Sequence, residues 1–374
     1  MPVGNLMIMS FRDQNKKRSL FKIIFIQIVI TLILIVLIDL IANLFIDRVG
    51  HKEFRLQRPE PYANASYFSQ DFINESFTQP GKWLLDEKYG GVKPDNYKGK
   101  WINVKNNRRV TINEQKDYLG TIYLFGGSTV YNGEVPDNLT ITSQLAAIGA
   151  NDQSYKVINM GATSIHSTQQ LGRLQSEINL KNSDIVIFYD GVNDVLQRII
   201  YENRGGFMIG QPKKENFWIE FLRSKSKYSS IMFIMYSRMI KNTKETPNAL
   251  INNSIDDYIN TLIKTKKHVE QHGANFYHFL QPTIFTKNKL NDYEQMLIKK
   301  GEPFVPIFFV EPYKRSYPLI ESRLNNYNFS HSLTGIFDNL NESPFLDYHH
   351  VNHIGNRIIS KNIWKIIKTK LKAG

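Results

Sequence analysis

The sequence predicts an α/β protein in which a parallel sheet is covered by helices on both faces. Three observations carry this prediction. From residue 119 onward, short apolar segments alternate with segments of helical spacing, as is typical of a parallel sheet with crossover helices. Residues 184–189 form a nearly continuous apolar run, which indicates a strand buried on both faces. The apolar run 121–125 ends in two glycines, where a strand can turn sharply.

The predicted elements can be placed one by one along residues 119–374. The helix at 167–178, for example, has Leu171, Leu174 and Ile178 on one face. Strands are predicted at 121–125, 156–159, 184–189 and 275–280, and helices at 142–148, 167–178, 254–272, 313–326 and 352–371. Residues 217–240, rich in Trp, Phe, Met and Ile, interrupt this alternation. They fit a lid over a site, an amphipathic helix on the membrane surface, or an inserted helix packed on the core.

The N-terminal region predicts one membrane-spanning helix. Residues 23–46 are largely apolar, and they follow a segment with the basic residues Arg12, Lys16, Lys17, Arg18 and Lys22. At a rise of about 1.5 Å per residue, a helix over this stretch is about 36 Å long, which is enough to cross a bilayer. The basic residues place 1–22 in the cytoplasm and the chain after residue 46 in the periplasm or outside the cell.

We interpret this apolar stretch as an uncleaved signal anchor. It is long for a signal peptide, and no small-x-small cleavage motif follows it, although a cleaved signal sequence remains the alternative. Asp39 and Asn43 are four residues apart and therefore share one helix face. A carboxylate inside a span can mark a contact with a membrane partner, but a position near the outer interface explains Asp39 as well.

Composition limits the class of protein further. Hydrophobic residues make up 42% of the chain, which is enough for a packed core. The chain has no cysteine, and this excludes disulfides and thiolate metal sites. The formal net charge is +13, yet the 47 basic side chains form no single block. We therefore interpret the charge as a lysine-rich surface and predict no nucleic-acid partner.

Residues 47–118 form an aromatic-rich segment between the predicted anchor and the α/β domain at 119–374. Pro and Gly recur in it, and the sequence shows no helical period. We interpret it as an irregular, membrane-proximal lead-in that packs on the α/β domain. The alternative is that its aromatic side chains, Trp83 and Trp101 among them, line a substrate groove.

Three short polar segments carry the candidate chemistry. Ser128 directly follows the two glycines after the first strand, Gly191–Asp194 follows the third strand, and Asp347–His350 lies near the C-terminus. A serine hydroxyl is a poor nucleophile until a base removes its proton, and a third group must orient that base. Asp347 and His350 are three residues apart, so their side chains can meet if the turn between them is helical.

The order of these segments resembles that of the SGNH, or GDSL-type, hydrolases. Four blocks carry the resemblance: Phe125-Gly-Gly-Ser-Thr129, Asn159-Met-Gly161, Gly191-Val-Asn-Asp194 and Asp347-Tyr-His-His350, the last followed by Asn352 and Gly355. The resemblance covers about residues 119–371, and it departs from the family at Gly127, where many members have Asp. It implies a three-layer α/β/α fold around a flavodoxin-like parallel sheet.

The resemblance also implies the roles of individual residues. Ser128 is then the nucleophile, His350 the base, and Asp347 the acid that orients the base. The Ser128 N–H, the Gly161 N–H and the Asn193 side chain then form the oxyanion hole, which stabilises the negative charge of a tetrahedral intermediate. Neither a metal nor another cofactor is implied.

Each of these residues has a simpler interpretation as well. Ser128 can cap a helix, Asn193 can shape a turn, and Asp347 can cap the last helix. His349 or His353 can be the base in place of His350. The histidines can also bind a metal, although a metal would leave the Gly-Gly-Ser and Gly-x-Asn-Asp segments without a role.

Taken together, these features predict a membrane-anchored serine esterase outside the cytoplasm. It is expected to act on O-acyl esters, in particular O-acetyl esters, of a cell-surface glycan through an acyl-enzyme. One alternative is a glycan O-acetyltransferase that works with a multispanning acyl-donor membrane partner. Others are an inactive SGNH scaffold that binds glycan, and a lipase with 217–240 as its lid. Hydrolysis and transfer both remain open because they differ in how the site excludes water.

Overall fold

The computed structural model describes residues 4–45, 60–78, 83–112, 118–150, 155–201, 229, 232, 235, 245–300 and 307–371. The chain divides into two compact units. The first consists of Met1–Arg48 and Asn216–Asn242, and the second of Val49–Glu215 and Thr243–Gly374.

Helix α1 (Gly4–Phe45) dominates the first unit. Its stretch Phe21–Ile41 has a mean hydropathy of 3.0 and leaves its side chains unburied. Among the described residues, this is the one helix long and apolar enough to cross a membrane. It is therefore a candidate membrane anchor or signal sequence, at the position predicted for the span.

Asp39, the carboxylate within this apolar stretch, has a hydrogen-bond partner in its own unit. Ser229 Oγ donates to Asp39 Oδ1 at 3.0 Å, and the same hydroxyl accepts the Met232 N–H at 3.2 Å. The other residues of 217–240 apart from Met235 lie outside the described part of the chain, so the three interpretations of that segment stay open.

The second unit is built around a five-stranded sheet in which every pair of neighbours is parallel. The strands are β6 (Gly120–Gly126), β7 (Tyr155–Gly161), β8 (Ile185–Asp190), β9 (Asn275–Leu280) and β10 (Ser330–Ser332), arranged in the order β10-β9-β8-β6-β7. Counted along the chain, this is the flavodoxin-like order 2-1-3-4-5. All six residues of β8 are buried, as expected for a strand covered on both faces. The fold-class prediction is thus confirmed.

Helices connect and cover these strands. They are α3 (Ser128–Tyr131), α4 (Ile141–Gly149), α5 (Ser167–Glu177), α6 (Val192–Val195), α7 (Asn248–Gln271), α8 (Asp292–Lys300), α9 (Ile307–Leu324) and α10 (His353–Leu371), with a π-helix at Leu196–Tyr201. Helix α4 packs against α10, whereas α7 packs against α5 and α9. Since crossovers are right-handed and the strand order reverses after β7, these two groups cover opposite faces.

Several elements of the α/β domain were not predicted: the one-turn helices α3 and α6, the π-helix, strand β10 and helix α8. Strand β10 has only three residues, Ser330–Ser332, and pairs with the end of β9. It is polar and short, so it lacks the apolar run by which a buried strand is recognised. Helix α8 lies in a segment for which the sequence predicted no element.

The lead-in is more ordered than predicted. It contains α2 (Gln70–Thr78), a 3-10 turn at Glu60–Tyr62, and two antiparallel sheets: β1 (Trp83–Asp86) with β2 (Gly91–Pro94), and β3 (Tyr97–Lys98), β4 (Asn103–Lys105) and β5 (Arg108–Arg109). The prediction of an irregular segment was therefore wrong at 70–78. Helix α2 is held by a tertiary contact, because its Glu75 carboxylate accepts the N–H groups of Lys100, Trp101 and Ile102.

Candidate active site

The candidate site lies where the strand order of the sheet reverses. Strands β6 and β8 are neighbours, and the chain leaves β6 toward β7 on the other side. In open α/β sheets, ligands bind beyond the carboxyl ends of the strands at such a switch point. Ser128 and Asn193 follow the carboxyl ends of β6 and β8, so the topology brings these two predicted residues to one place.

The turn that carries Ser128 depends on a close approach to Asn193. Strand β6 ends at Gly126, and α3 begins at Ser128. A Cβ atom at Gly127 would overlap Asn193 Nδ2. A side chain at position 127 would therefore displace the Asn193 amide, and this favours glycine before the serine in this chain.

Ser128, His350 and Asp347 form a continuous chain of hydrogen bonds. Ser128 Oγ lies 2.7 Å from His350 Nε2, and His350 Nδ1 lies 2.6 Å from Asp347 Oδ2. Asp347 Oδ1 accepts the N–H groups of His349 and His350, both at 2.8 Å. Residues 347–350 are a bend rather than a helical turn, so the acid meets the base through this local turn and not through a shared helix face.

The electrostatics of the site favour an imidazolium between carboxylates. Burial works to raise the pKa of Asp347, but the charges of His350 and His349 and their hydrogen bonds hold it well below its usual value. Burial works to lower the pKa of His350, but the Asp347 and Glu134 carboxylates outweigh it and raise that pKa to about 9. The arrangement thus stabilises positive charge on His350, which is what a base needs after taking a proton.

His349 and His353 occupy different environments from His350. Burial and the charge of His350 lower the pKa of His349 to about 4. Its Nδ1 lies 3.3 Å from Asp347 Oδ1. His353 Nδ1 lies 3.3 Å from the Tyr67 hydroxyl. Of these three histidines, His350 is the one that contacts Ser128 Oγ.

Two of the three predicted oxyanion donors, the Ser128 N–H and the Asn193 amide, lie at the turn after β6. Ser128 opens α3, and a backbone N–H in the first turn of a helix has no partner within that helix. Asn193 Nδ2 donates one hydrogen to the Ile165 carbonyl oxygen at 2.8 Å. A side-chain amide carries two hydrogens, and this bond uses one of them.

Gly161 does not fit the role that the resemblance gave it. Its N–H already donates to Asn159 Oδ1 at 2.9 Å, so this donor is engaged. A Cβ atom at position 161 would overlap the Tyr131 backbone nitrogen. In this structure the glycine lets β7 approach α3 closely, which is a packing role rather than that of an oxyanion donor.

Asp194, next to Asn193, holds the surrounding loops together. Its carboxylate accepts the Ser167 hydroxyl at 2.6 Å and the Ser167 N–H at 3.2 Å, and it pairs with Arg198 Nε at 3.1 Å. Within the Gly-x-Asn-Asp segment, the Asn193 amide thus packs against Gly127, and the Asp194 carboxylate bonds the start of α5.

Sequence reasoning missed Glu134, a second carboxylate beside the histidine. Glu134 Oε1 lies 3.7 Å from His350 Nε2, the nitrogen that contacts Ser128. Burial raises the pKa of Glu134, and the charge of His350 opposes that rise. No spacing rule relates a glutamate six residues after the serine to a histidine near the C-terminus, so the sequence held no signal for this contact.

A metal site would compete with the hydrogen-bond chain. Asp347, His349 and His350 offer ligand atoms that all lie within 4.8 Å of one another. However, His350 Nδ1 and Asp347 Oδ2 already face each other at 2.6 Å. A metal bound there would replace that hydrogen bond, so the two interpretations exclude each other and can be separated by experiment.

Comparison with known proteins gives structural likeness at low sequence identity. No protein-family model matches the sequence, and no curated protein matches it. Among solved structures, the acetyl xylan esterase AlAXEase is 15% identical with a TM-score of 0.40, covering 66% of this chain and 99% of its own. A catalytic mutant of an acetylxylan esterase from Geobacillus stearothermophilus is 14% identical with a TM-score of 0.36, covering 67% and 95%.

A member of the lipolytic G-D-S-L family from Veillonella parvula is similar at 11% identity and a TM-score of 0.36, covering 67% of this chain and 98% of its own.

Proposed function

We propose that this protein is an SGNH-type serine esterase that forms an acyl-enzyme at Ser128. The observation that carries the proposal is the hydrogen-bond chain from Ser128 Oγ through His350 to Asp347, with distances of 2.7 and 2.6 Å. A serine, an imidazole and a carboxylate in this arrangement are the parts of a nucleophilic triad, whatever their order in the sequence. Their place at the switch point of the sheet supports the same conclusion.

The proposed reaction begins when Ser128 Oγ attacks the carbonyl carbon of an ester. His350 Nε2 takes the hydroxyl proton, and Asp347 stabilises the imidazolium through Nδ1–H. The Ser128 N–H and Asn193 Nδ2 donate to the oxyanion of the tetrahedral intermediate, where one such donor typically contributes about 10²–10³ in rate. Collapse of the intermediate breaks the ester C–O bond, and His350 Nε2 returns the proton to the leaving alcohol. The acyl group remains on Ser128.

We further propose that the esterase works outside the cytoplasm, anchored by α1. The supporting features are the apolar stretch Phe21–Ile41 and the basic residues that precede it. A site tethered to that side of a membrane meets the glycans of the cell envelope. We therefore propose O-acyl esters of such a glycan, O-acetyl esters first among them, as the substrate class.

The test uses the full-length protein in detergent micelles. A fluorophosphonate probe should label wild type at Ser128, and p-nitrophenyl acetate should be hydrolysed. Ser128→Ala and His350→Ala should lose both labelling and turnover, whereas the control Ser176→Ala, an exposed serine on α5, should keep both. A folded wild-type protein that neither reacts with the probe nor turns over the ester would contradict the proposal. A sugar acceptor added to the assay separates hydrolysis from transfer.

A further inference from the structure

Glu134 stands out as a half-buried carboxylate that faces His350. Its side chain is 20% exposed, and Oε1 lies 3.7 Å from His350 Nε2. Its other oxygen, Oε2, is buried and has no hydrogen-bond partner in the described part of the chain. A buried acceptor without a partner is costly, and such groups in native proteins call for an explanation.

Other buried carboxylates in the unit do have partners. Glu294 is fully buried, and it pairs with Lys287 Nζ at 2.8 Å and accepts the Ser343 hydroxyl at 2.9 Å. Glu75 accepts three backbone N–H groups. Glu134 differs from both because it faces the ring nitrogen that contacts Ser128. In the described part of the chain its carboxylate bonds its own backbone N–H, and Oε2 has no partner.

The loop that carries Glu134 is held in place by the lead-in. Arg109 is 1% exposed; it donates to Asp137 Oδ1 at 2.6 Å and to the carbonyl oxygens of Asn132 and Val135 at 3.1 and 2.8 Å. The Tyr62 hydroxyl donates to the Glu134 carbonyl oxygen at 3.0 Å. These bonds fix the backbone on both sides of Glu134, so its carboxylate is presented at the site by a rigid loop.

We propose that Glu134 is a further catalytic residue, which binds the incoming nucleophile that resolves the acyl-enzyme. This inference rests on the proposed function. Hydrogen-bonded oxygens lie about 2.8 Å apart, so two atoms 3.7 Å apart can both contact one oxygen or two adjacent ones. Glu134 Oε1 and His350 Nε2 together therefore suit a nucleophile with two O–H donors, one for each acceptor.

In the second half-reaction, the acyl group passes from Ser128 to the nucleophile. The nucleophile oxygen attacks the acyl carbon of Ser128, and the hydrogen of that attacking hydroxyl passes to His350 Nε2. The second O–H keeps its proton and donates a hydrogen bond to Glu134. Collapse breaks the bond between the acyl carbon and Ser128 Oγ, and the proton on His350 Nε2 passes to Oγ. The acyl group leaves on the nucleophile oxygen.

Two kinds of nucleophile carry two O–H donors, namely water and a sugar with vicinal hydroxyls. Water carries both O–H donors on one oxygen, whereas a sugar with vicinal hydroxyls carries them on neighbouring oxygens. A simple alcohol has one donor and leaves Glu134 without a partner. The acceptor specificity of the acyl-enzyme therefore reports on Glu134 directly.

The experiment compares full-length wild type, Glu134→Gln and Glu134→Ala, with Glu270→Gln as the control because that glutamate lies exposed on α7 and carries the same charge. Each protein is given p-nitrophenyl acetate with water alone, propan-1-ol or propane-1,2-diol. The fast burst of p-nitrophenol reports acylation, the slow phase reports deacylation, and the ratio of ester to acetate products reports the nucleophile.

We expect both Glu134 variants to keep the burst and to lose about 10- to 100-fold in deacylation by water, the range for one hydrogen bond to a charged group. Wild type should prefer the diol to propan-1-ol, and Glu134→Ala should lose that preference. A preference for water alone, with no gain from the diol, would identify water as the ligand of Glu134.

Other results would overturn the inference. Unchanged deacylation and unchanged acceptor preference in Glu134→Ala would show that the carboxylate does not bind the nucleophile. An equal fall in the burst and the slow phase would show a merely structural role. Failure of wild type to react with ester or fluorophosphonate would instead contradict the proposed function, and the two failures are therefore distinguishable.

Discussion

The Asn193 side-chain amide lies directly against Gly127, the residue before the serine, and leaves no room there for a Cβ atom. This contact joins the carboxyl ends of β6 and β8 at the candidate site. It places an amide donor beside the Ser128 backbone N–H. The oxyanion hole of the proposed reaction thus depends on a glycine that contributes no donor of its own.

We expect Gly127→Ala to disable the site without unfolding the protein. The added methyl group would overlap Asn193 Nδ2 and displace that amide. The loss in kcat should be about 10²–10³, as for removal of one oxyanion donor, and Asn193→Ala should lose a similar amount. Gly133→Ala is the matched control, because a Cβ there meets its nearest atom at 3.7 Å. Full activity in Gly127→Ala would refute this role for the contact.

The pH dependence of activity should follow His350. Its pKa of about 9, which the Asp347 and Glu134 carboxylates raise against burial, means that the neutral base becomes more abundant as pH rises. We expect kcat/KM to increase about tenfold per pH unit below that pKa and to level off above it. Removing the charge in Glu134→Gln should move the rise to lower pH. A profile that is unchanged in this variant would contradict the assignment.

Stability should change with pH in the opposite direction to activity. A folded-state pKa above the ordinary value of about 6.5 means that protonated His350 stabilises the fold. This contribution is complete below pH 6.5 and is lost as pH rises through about 9. The difference in free energy of unfolding between wild type and His350→Gln should therefore shrink over that window. Denaturant titrations at pH 6 and pH 9 measure it, and a constant difference would contradict the raised pKa.

Replacing Arg109 should lower the free energy of unfolding substantially, although this residue lies in the lead-in rather than in the α/β domain. Replacement by Met leaves Asp137 without its 2.6 Å ion pair and frees the loop around Glu134. Breaking a buried pair by removing one partner typically costs about 3–5 kcal/mol. Arg323→Met, which removes an exposed pair with Asp256, should cost less than about 1 kcal/mol. Urea unfolding of both variants compares the two, and equal losses would refute the argument.

A chelator should leave the esterase activity unchanged. The proposed reaction runs through the Ser128–His350–Asp347 chain and uses no metal, so dialysis against EDTA is expected to have no effect on p-nitrophenyl acetate turnover. His349→Gln should also retain most of the activity, whereas His350→Gln should lose it. Inactivation by EDTA with recovery on addition of Zn²⁺ would instead favour a metal held by Asp347, His349 and His350.

The absence of cysteine allows a clean test of membrane topology. Ser10→Cys and Ser176→Cys each introduce a single thiol, on opposite sides of the stretch Phe21–Ile41. In intact cells or spheroplasts, a membrane-impermeant maleimide should label position 176 and should reach position 10 only after lysis. Recovery of a protein that lacks position 10 would favour a cleaved signal sequence, and the reverse labelling pattern would refute the proposed orientation.

Local patterns in the sequence were enough to predict most of the central fold. Four of the five parallel strands and five long helices of the α/β domain lie where apolar runs and helical spacing placed them. Strand β10 was not predicted because a polar strand of three residues has no periodicity. Helix α2 was not predicted because its order depends on Glu75, whose carboxylate accepts three distant backbone N–H groups.

The sequence by itself determined the fold class, the candidate anchor helix and the serine, histidine and aspartate from which the site is built. These features can be predicted from apolar periodicity and from short motifs, because both depend on residues that are close together in the sequence. Only the tertiary structure decided how those residues meet. Ser128 contacts His350, which lies 222 positions further along the chain. The Gly161 N–H donates to Asn159, and Glu134 lies beside the same histidine. These relationships depend on the order of the strands and on loops fixed by distant hydrogen bonds, because a contact between remote segments has no local pattern that reveals it.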